Sequence, residues 1–215
     1  MLNFVLIHDG TELGWQTAYR AFHVAARLGA SLQALVIDGE LDADELVQYA
    51  AEIKIGGNAA RINLTTQVVT EFTEQKLKED IPTGDGLFLP WHLVSDEKTA
   101  ERYLEALDSP LWVISTEAEI NMMGVLIAGE GDNQQVANYA TTLSNRLRKP
   151  LVGFSGMPEP EDLDPEVEWV VIEDFSPESF FAALSEKEID LLVIPASQIQ
   201  LTSQTPVNCV IFPQS

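Results

Sequence analysis

Three short stretches of this chain put chemically capable side chains just past an apolar run. His8-Asp9-Gly10-Thr11 follows Phe4–Ile7, Pro90-Trp91-His92 follows Gly86–Leu89, and Gly129-Glu130 comes soon after Val125–Ile127. Open α/β sheets bind ligands outside the carboxyl ends of their strands, so these residues are candidates for lining clefts, and His8 is expected to face one. An imidazole there could act as a general base or a metal ligand. No nucleophile is placed beside His8, His23 or His92, however, and no pair of them has metal-ligand spacing, so satisfied or solvent-facing rings are expected. Asp9 has two readings, a turn former that starts a helix or a ligand contact. Gly10 and Gly14 do not make the G-x-G-x-x-G dinucleotide fingerprint and read as turn and helix-start residues.

The elements that must position these residues occur twice. NFVLIHDG with a helix, over 3–28, returns as MGVLIAGEG with a helix, over 123–147. Val5, Leu6 and Ile7 match Val125, Leu126 and Ile127 at constant spacing, and Leu28 and Leu147 fall one residue short of it. Two units are expected, 1–118 and 119–215, which suits a usual domain size of roughly 100–150 residues. In the first, Leu2–Ile7 is apolar throughout, as a strand covered on both faces requires, and is expected to be central. A helix is expected over 13–28, with Ala18, Ala21, Phe22, Ala25 and Leu28 at helical spacing and Gly29 as its stop. Further strands are expected at Leu32–Ile37, Asn63–Val69, Gly86–Pro90 and Leu111–Ser115. Asp42 or Asp44 would cap a second helix that Gly56-Gly57 ends or bends, a weak helix falls near Thr73–Asp80, and Ser95 would cap another bearing Ala100, Tyr103, Leu104 and Leu107.

The second unit repeats the plan in shortened form, with strands at Val125–Ile127, Leu151–Phe154, Trp169–Ile172, Leu191–Ile194 and Val207–Phe212. Helices are expected over Gln134–Leu147 and, capped by Ser176, over Pro177–Leu184. Pro158, Pro160 and Pro165 exclude a long helix between the second and third strands. The stretch 195–206 barely allows a helical crossover. Strands alternating with helices imply right-handed crossovers and an open parallel sheet wound on both faces, an α/β fold.

Composition narrows the partners. With 12 Lys+Arg against 34 Asp+Glu, the formal charge of −22 repels phosphate backbones and anionic lipid, so neither nucleic acid nor a membrane is expected as a partner. No apolar run approaches the roughly 20 residues that span a bilayer. Cys209 is the single cysteine and sits in the apolar VNCVIF, where a buried inert thiol is expected; a reducing, cytoplasmic compartment follows. Glu159, Glu161, Asp162, Asp164, Glu166 and Glu168 read as a solvated acidic loop. It lacks the glycine that gives a hard-cation loop its sharp bend, and no metal is expected.

Taken together, VLIHDGTE, ARLGASLQALVID and TAERYLEALDSPLWVIS resemble the universal stress protein family. Members open with a strand ending in Asp-Gly-Ser or Asp-Gly-Thr, run through a helix closing in A-x-x-L-G-A, and finish with a helix, a Pro and a strand. Asp9-Gly10-Thr11, Ala25 to Ala30 and Ala100 to Ser115 match these in order; the second half keeps the strand-helix-strand opening and the closing strands. The resemblance implies two tandem open parallel sheets of the adenine nucleotide alpha hydrolase-like type, with strand order 3-2-1-4-5. It also implies units that associate through their last strands, so that Leu111–Ser115 and Val207–Phe212 would meet as a pseudo-two-fold dimer within one chain. A homodimer of whole chains stays open.

ATP-binding members of that family carry G-x-x-G, nine further residues, then G-[ST] after the fourth strand. Glycines there let backbone N–H groups approach phosphate oxygens, and the following helix adds its dipole. The corresponding PWHLVSDEKTAERY has no glycine, sets Trp91, His92 and Leu93 where backbone would touch phosphate, and adds the charges of Asp96 and Glu97. In the second half PASQIQLTSQTPVN also lacks glycine and is too short. The nucleoside side is less altered: the resemblance sets Asp9 near a nucleoside and the backbone at Val36 against a base, with Gly129-Glu130 at the equivalent turn. The candidate ligand-binding residues are therefore His8, Asp9, Gly10, Val36, Pro90, Trp91, Gly129 and Glu130. The expected function is that of a non-enzymatic stress-response or regulatory protein, without cofactor, acting through an unidentified protein partner or small ligand. The alternatives are an ATP- or AMP-binding, weakly hydrolysing protein in which His8 and Asp9 face the nucleotide and a divalent ion supplies the missing phosphate contacts, and a module whose 159–168 loop docks on a basic partner.

Overall fold

Mainly apolar runs make the inner strands. A computed structural model describes residues 2–37, 40–55, 58–59, 62–70, 85–94, 97–107, 109–116, 119–127, 133–156, 167–173, 175–204 and 207–213. The chain divides into two units, Met1–Glu117 and Ala118–Ser215. The first holds strands β1 (Asn3–His8), β2 (Ser31–Ile37), the short β3 (Lys54–Ile55) and β4 (Asn58–Ala59) of a separate ribbon, β5 (Asn63–Val69), β6 (Gly86–Pro90) and β7 (Leu111–Ile114), with the main sheet in spatial order β5-β2-β1-β6-β7. All neighbours in that order are parallel. The second holds β8 (Met123–Ile127), β9 (Leu151–Ser155), β10 (Glu168–Val171), β11 (Leu191–Pro195) and β12 (Asn208–Phe212), in order β10-β9-β8-β11-β12 and again parallel. Each unit thus has the order 3-2-1-4-5.

Crossovers of this length need a covering element, and the sequence supplies amphipathic ones. Helix α1 (Glu12–Leu28) leads from β1 to β2, α2 (Glu40–Glu52) follows β2, and α3 (Glu97–Leu107) precedes β7. In the second unit α4 (Asn133–Leu147) joins β8 to β9 and α5 (Pro177–Glu186) joins β10 to β11. Buried faces follow the apolar spacing: Ala18, Ala21, Phe22 and Ala25 of α1 are fully enclosed, as are Leu6, Ile7 and Phe88 in the strands. Each such large side chain gains roughly 1.5–3 kcal/mol over exposure. In the first unit Phe88 stacks on Trp112 with centroids 4.8 Å apart, and in the second Phe154 meets Phe180 edge-on at 5.8 Å. Among the described residues no helix is long and apolar enough to cross a membrane.

Several local details differ from expectation. Helix α2 begins at Glu40, so Asp42 and Asp44 fall within its first turns rather than capping it. It ends at Glu52 before reaching the glycines, because Lys54–Ile55 and Asn58–Ala59 pair as a small antiparallel ribbon. Gly56-Gly57, the weak helix near 73–80, Ser95 as a cap and the acidic loop at 157–166 lie outside the described residues. The 195–206 stretch forms a 3₁₀ helix over Ala196–Gln204, interrupted at Gln198, and still delivers β12 parallel to β11. As expected, Ser176 caps α5, its hydroxyl accepting the Ser179 N–H at 3.3 Å.

Both units satisfy the backbone donors at the start of their central strand in one way. Asp85, just before β6, accepts the Asn3 N–H at 2.7 Å. Asp190, just before β11, accepts those of Asn121 and Met122 at 2.8 and 3.1 Å.

Candidate functional site

Parallel pairing of β1 with β6, with Leu6 beside Phe88, brings the residues beyond their carboxyl ends together. After β1 the chain turns through Gly10 at φ 72, a left-handed conformation that glycine adopts without penalty. Asp9 Oδ1 then accepts the Thr11 N–H at 3.2 Å and the Thr11 hydroxyl at 2.7 Å. That hydroxyl oxygen in turn accepts the Gly14 N–H at 3.0 Å and so caps α1. Gly14 is required by proximity, since a Cβ there would collide with Asp9 Oδ1.

The other carboxylate oxygen, Oδ2, accepts a hydrogen bond from His92 Nε2. Pro90 closes β6 in extended conformation, and Trp91–Leu93 then form a single 3₁₀ turn in which the Val94 N–H bonds Trp91 O at 2.9 Å. This turn swings His92 over Asp9. Burial alone would raise the Asp9 pKa, but hydrogen bonds from Thr11 and His92 outweigh it and hold the carboxyl below its ordinary value. Asp9 is therefore an anion at neutral pH with both oxygens engaged. Its side chain is 11% exposed and that of His92 41%, so His92 forms the solvent side of the pair and covers Asp9.

His8 is placed otherwise than expected. As the last residue of β1 it is fully buried, its ring edge-on to Trp15 at 4.6 Å, so it does not open onto a cleft. The apolar packing of Trp15, which also meets Tyr49 at 6.0 Å, encloses it. Val36 lies in register beside His8 in β2 and is likewise buried. His23 packs on Tyr19 at 4.2 Å, away from the Asp9 turn. Pro90 is buried and Trp91 half-buried. Gly129 and Glu130 lie outside the described residues, as does Asp96. In the second unit the segment after Pro195 turns Ile199 and Leu201 inward. Among the described residues no group of three or more His, Cys, Asp or Glu is arranged to hold a metal. Cys209 is buried, and burial pushes its thiol pKa up to about 12.

His92 as the partner of Asp9 was missed by sequence reading, and so was the close approach of Gly14. The signal existed: order 3-2-1-4-5 makes the first and fourth strands neighbours, which sets whatever follows Pro90 beside whatever follows His8.

The sequence matches no family pattern and no curated protein. Solved structures do match. A universal stress protein from Archaeoglobus fulgidus DSM 4304 superposes with a TM-score of 0.64 at 12% identity, over 99% of this chain and 96% of that one. A provisionally named universal stress protein from Pseudomonas aeruginosa UCBPP-PA14 gives 0.66 at 11%, over 99% and 93%. A protein of unknown function from Pseudomonas aeruginosa PAO1 gives 0.64 at 11%, over 99% and 92%. With the 3-2-1-4-5 order of each unit, these matches establish that the chain has a universal-stress-protein-like α/β fold.

Proposed function

We propose that this is a universal-stress-like regulatory protein of the cytoplasm, without enzymatic activity, that does not grip ATP through a glycine loop and acts through a protein partner or small ligand. One observation carries the reading: the glycine-free turn Trp91–Leu93 lays His92 on Asp9 and ties its own Val94 N–H to Trp91 O. The backbone donors of a phosphate loop must be free to point at the ligand, and this amide is not. A nucleoside that used Asp9 would first displace His92 from a charged acceptor. Such a bond is worth about 1.5–3 kcal/mol, roughly a ten- to hundredfold loss of affinity. The formal charge of −22 adds long-range repulsion against a polyphosphate and against nucleic acid.

Isothermal titration of the purified protein with Mg-ATP tests this. Binding weaker than about 1 mM is expected, and a micromolar dissociation constant would defeat the proposal. The rival reading, a nucleotide-binding or weakly hydrolysing protein, would instead show nucleotide carried through purification. It would also show phosphate release that Asp9→Ala abolishes.

A further inference from the structure

A cavity of about 540 Å³ lies in the second unit, at the end of the strands opposite to their carboxyl ends. That is within the roughly 300–1,000 Å³ of small-molecule sites. It forms where the chain enters β8, β11 and β12, beside the end of α5. Its walls are mixed: Met122, Phe181, Leu184, Ile189 and Val207 make the apolar part, and Asn121 and Ser185 add neutral polar groups. Its charged groups are of one sign: Glu188 and Asp190 line it, and among the described residues no Lys or Arg does.

One cation stands close by, Lys149, whose Nζ is held by Asn121 Oδ1 of the lining at 3.4 Å, while the helix end beside the cavity adds negative sign. The last turn of α5 carries no basic residue, and the aligned peptide dipoles leave partial negative charge at its carboxyl end. The next residue, Lys187, is drawn aside to Glu168 at 2.6 Å. Asp190 receives the Asn121 and Met122 amides on Oδ2, which fixes its carboxyl group in place. Glu188 directly follows the C-cap residue Lys187: its N–H bonds Ser185 O at 3.2 Å while the Ile189 N–H reaches back to Leu184 O at 3.1 Å. This closing pattern sets the residue after the C-cap in the left-handed region, and Glu188 has φ 51. Glycine is the residue that this position ordinarily takes, yet here it carries a carboxylate at the cavity.

We propose that this cavity binds a small organic cation, a protonated amine on an apolar body, with the amine at Glu188 and Asp190 and the body against Met122, Phe181 and Leu184. The apolar walls contribute affinity by desolvation, and the paired carboxylates with the helix end select the charge. The net charge of the chain raises the local concentration of such cations. The site is independent of the Asp9 turn, so a finding of ATP binding leaves it untouched.

Heteronuclear NMR of the full chain at low ionic strength tests it with three probes of similar shape: 2-phenylethylamine, 2-phenylethanol and 3-phenylpropionate. The amine is expected to give saturable shifts at amides of 121–122 and 184–191, the alcohol to bind about fivefold more weakly, and the acid not to bind. Glu188→Gly removes the carboxylate while relieving the backbone, so this variant folds. Its thermal midpoint is expected at or above that of the parent, with amine affinity reduced about fivefold or more. Glu188→Gln, which keeps the Cβ, is expected to lose the same affinity. Equal binding of the three probes, amine shifts mapping elsewhere, no saturable amine shift, or parental affinity in either variant would each overturn the proposal.

Discussion

Asp9 commits both carboxylate oxygens within the protein, one to Thr11 and one to His92. A carboxyl whose folded pKa is depressed stabilises the fold above the ordinary carboxylate range and loses that contribution as pH falls through it. Asp9→Asn is therefore expected to cost stability at neutral pH, with the gap to the parent closing below about pH 4. Urea unfolding across that range measures it, and a gap of constant size would show that the charge is irrelevant. Gly14→Ala presses a methyl group onto Asp9 Oδ1, which Thr11 prevents from yielding freely. Such overpacking costs of order 1–3 kcal/mol. Because the collision needs the carboxylate, Asp9→Ala should recover much of that loss in a double-mutant cycle. Strictly additive effects would mean that the two side chains do not compete for the space.

At the scale of elements, the helix ending seen at Glu188 after α5 recurs at two more helices with different residues. Helix α1 stops at Gly29, φ 64, with the Ala30 N–H returning to Ala25 O at 2.8 Å. Helix α4 stops in the same geometry at Arg148, φ 55, with the Lys149 N–H returning to Ser144 O at 3.0 Å. A Cβ in that conformation costs about 1–2 kcal/mol, offset in part by the greater freedom glycine has in the unfolded chain. Arg148→Gly is accordingly expected to raise stability by up to about 1 kcal/mol and Gly29→Arg to lower it by a similar amount. Thermal unfolding of the pair decides; a destabilised Arg148→Gly would mean that the arginine side chain makes contacts worth more than the strain.

At the scale of the whole molecule, the dominant quantity is the formal charge of −22. Like charges repel more strongly in the folded than in the expanded chain, and salt screens them. Moving from about 10 mM to 1 M sodium chloride shortens the Debye length from about 30 Å to about 3 Å, so the thermal midpoint is expected to rise over that interval. A midpoint that falls would show that local ion pairs such as Lys187–Glu168 outweigh the global repulsion.

What the amino-acid order determines alone is whatever depends on neighbours within a turn or a strand. Asn63–Val69 is a strand over those very residues, Gly29 ends its helix, and Ser176 caps another, because backbone propensity, apolar period and capping chemistry act over three or four positions. The resemblance added the 3-2-1-4-5 order. The meeting of His92 with Asp9, the enclosure of His8 behind Trp15, the crowding of Gly153 by the Trp169 indole and the cavity beside Glu188 were decided by tertiary structure. In each case the partners are far apart in the chain and meet because adjacent strands or packed helices carry them to one place. No local propensity encodes which side chain then takes a given hydrogen bond or fills a given space.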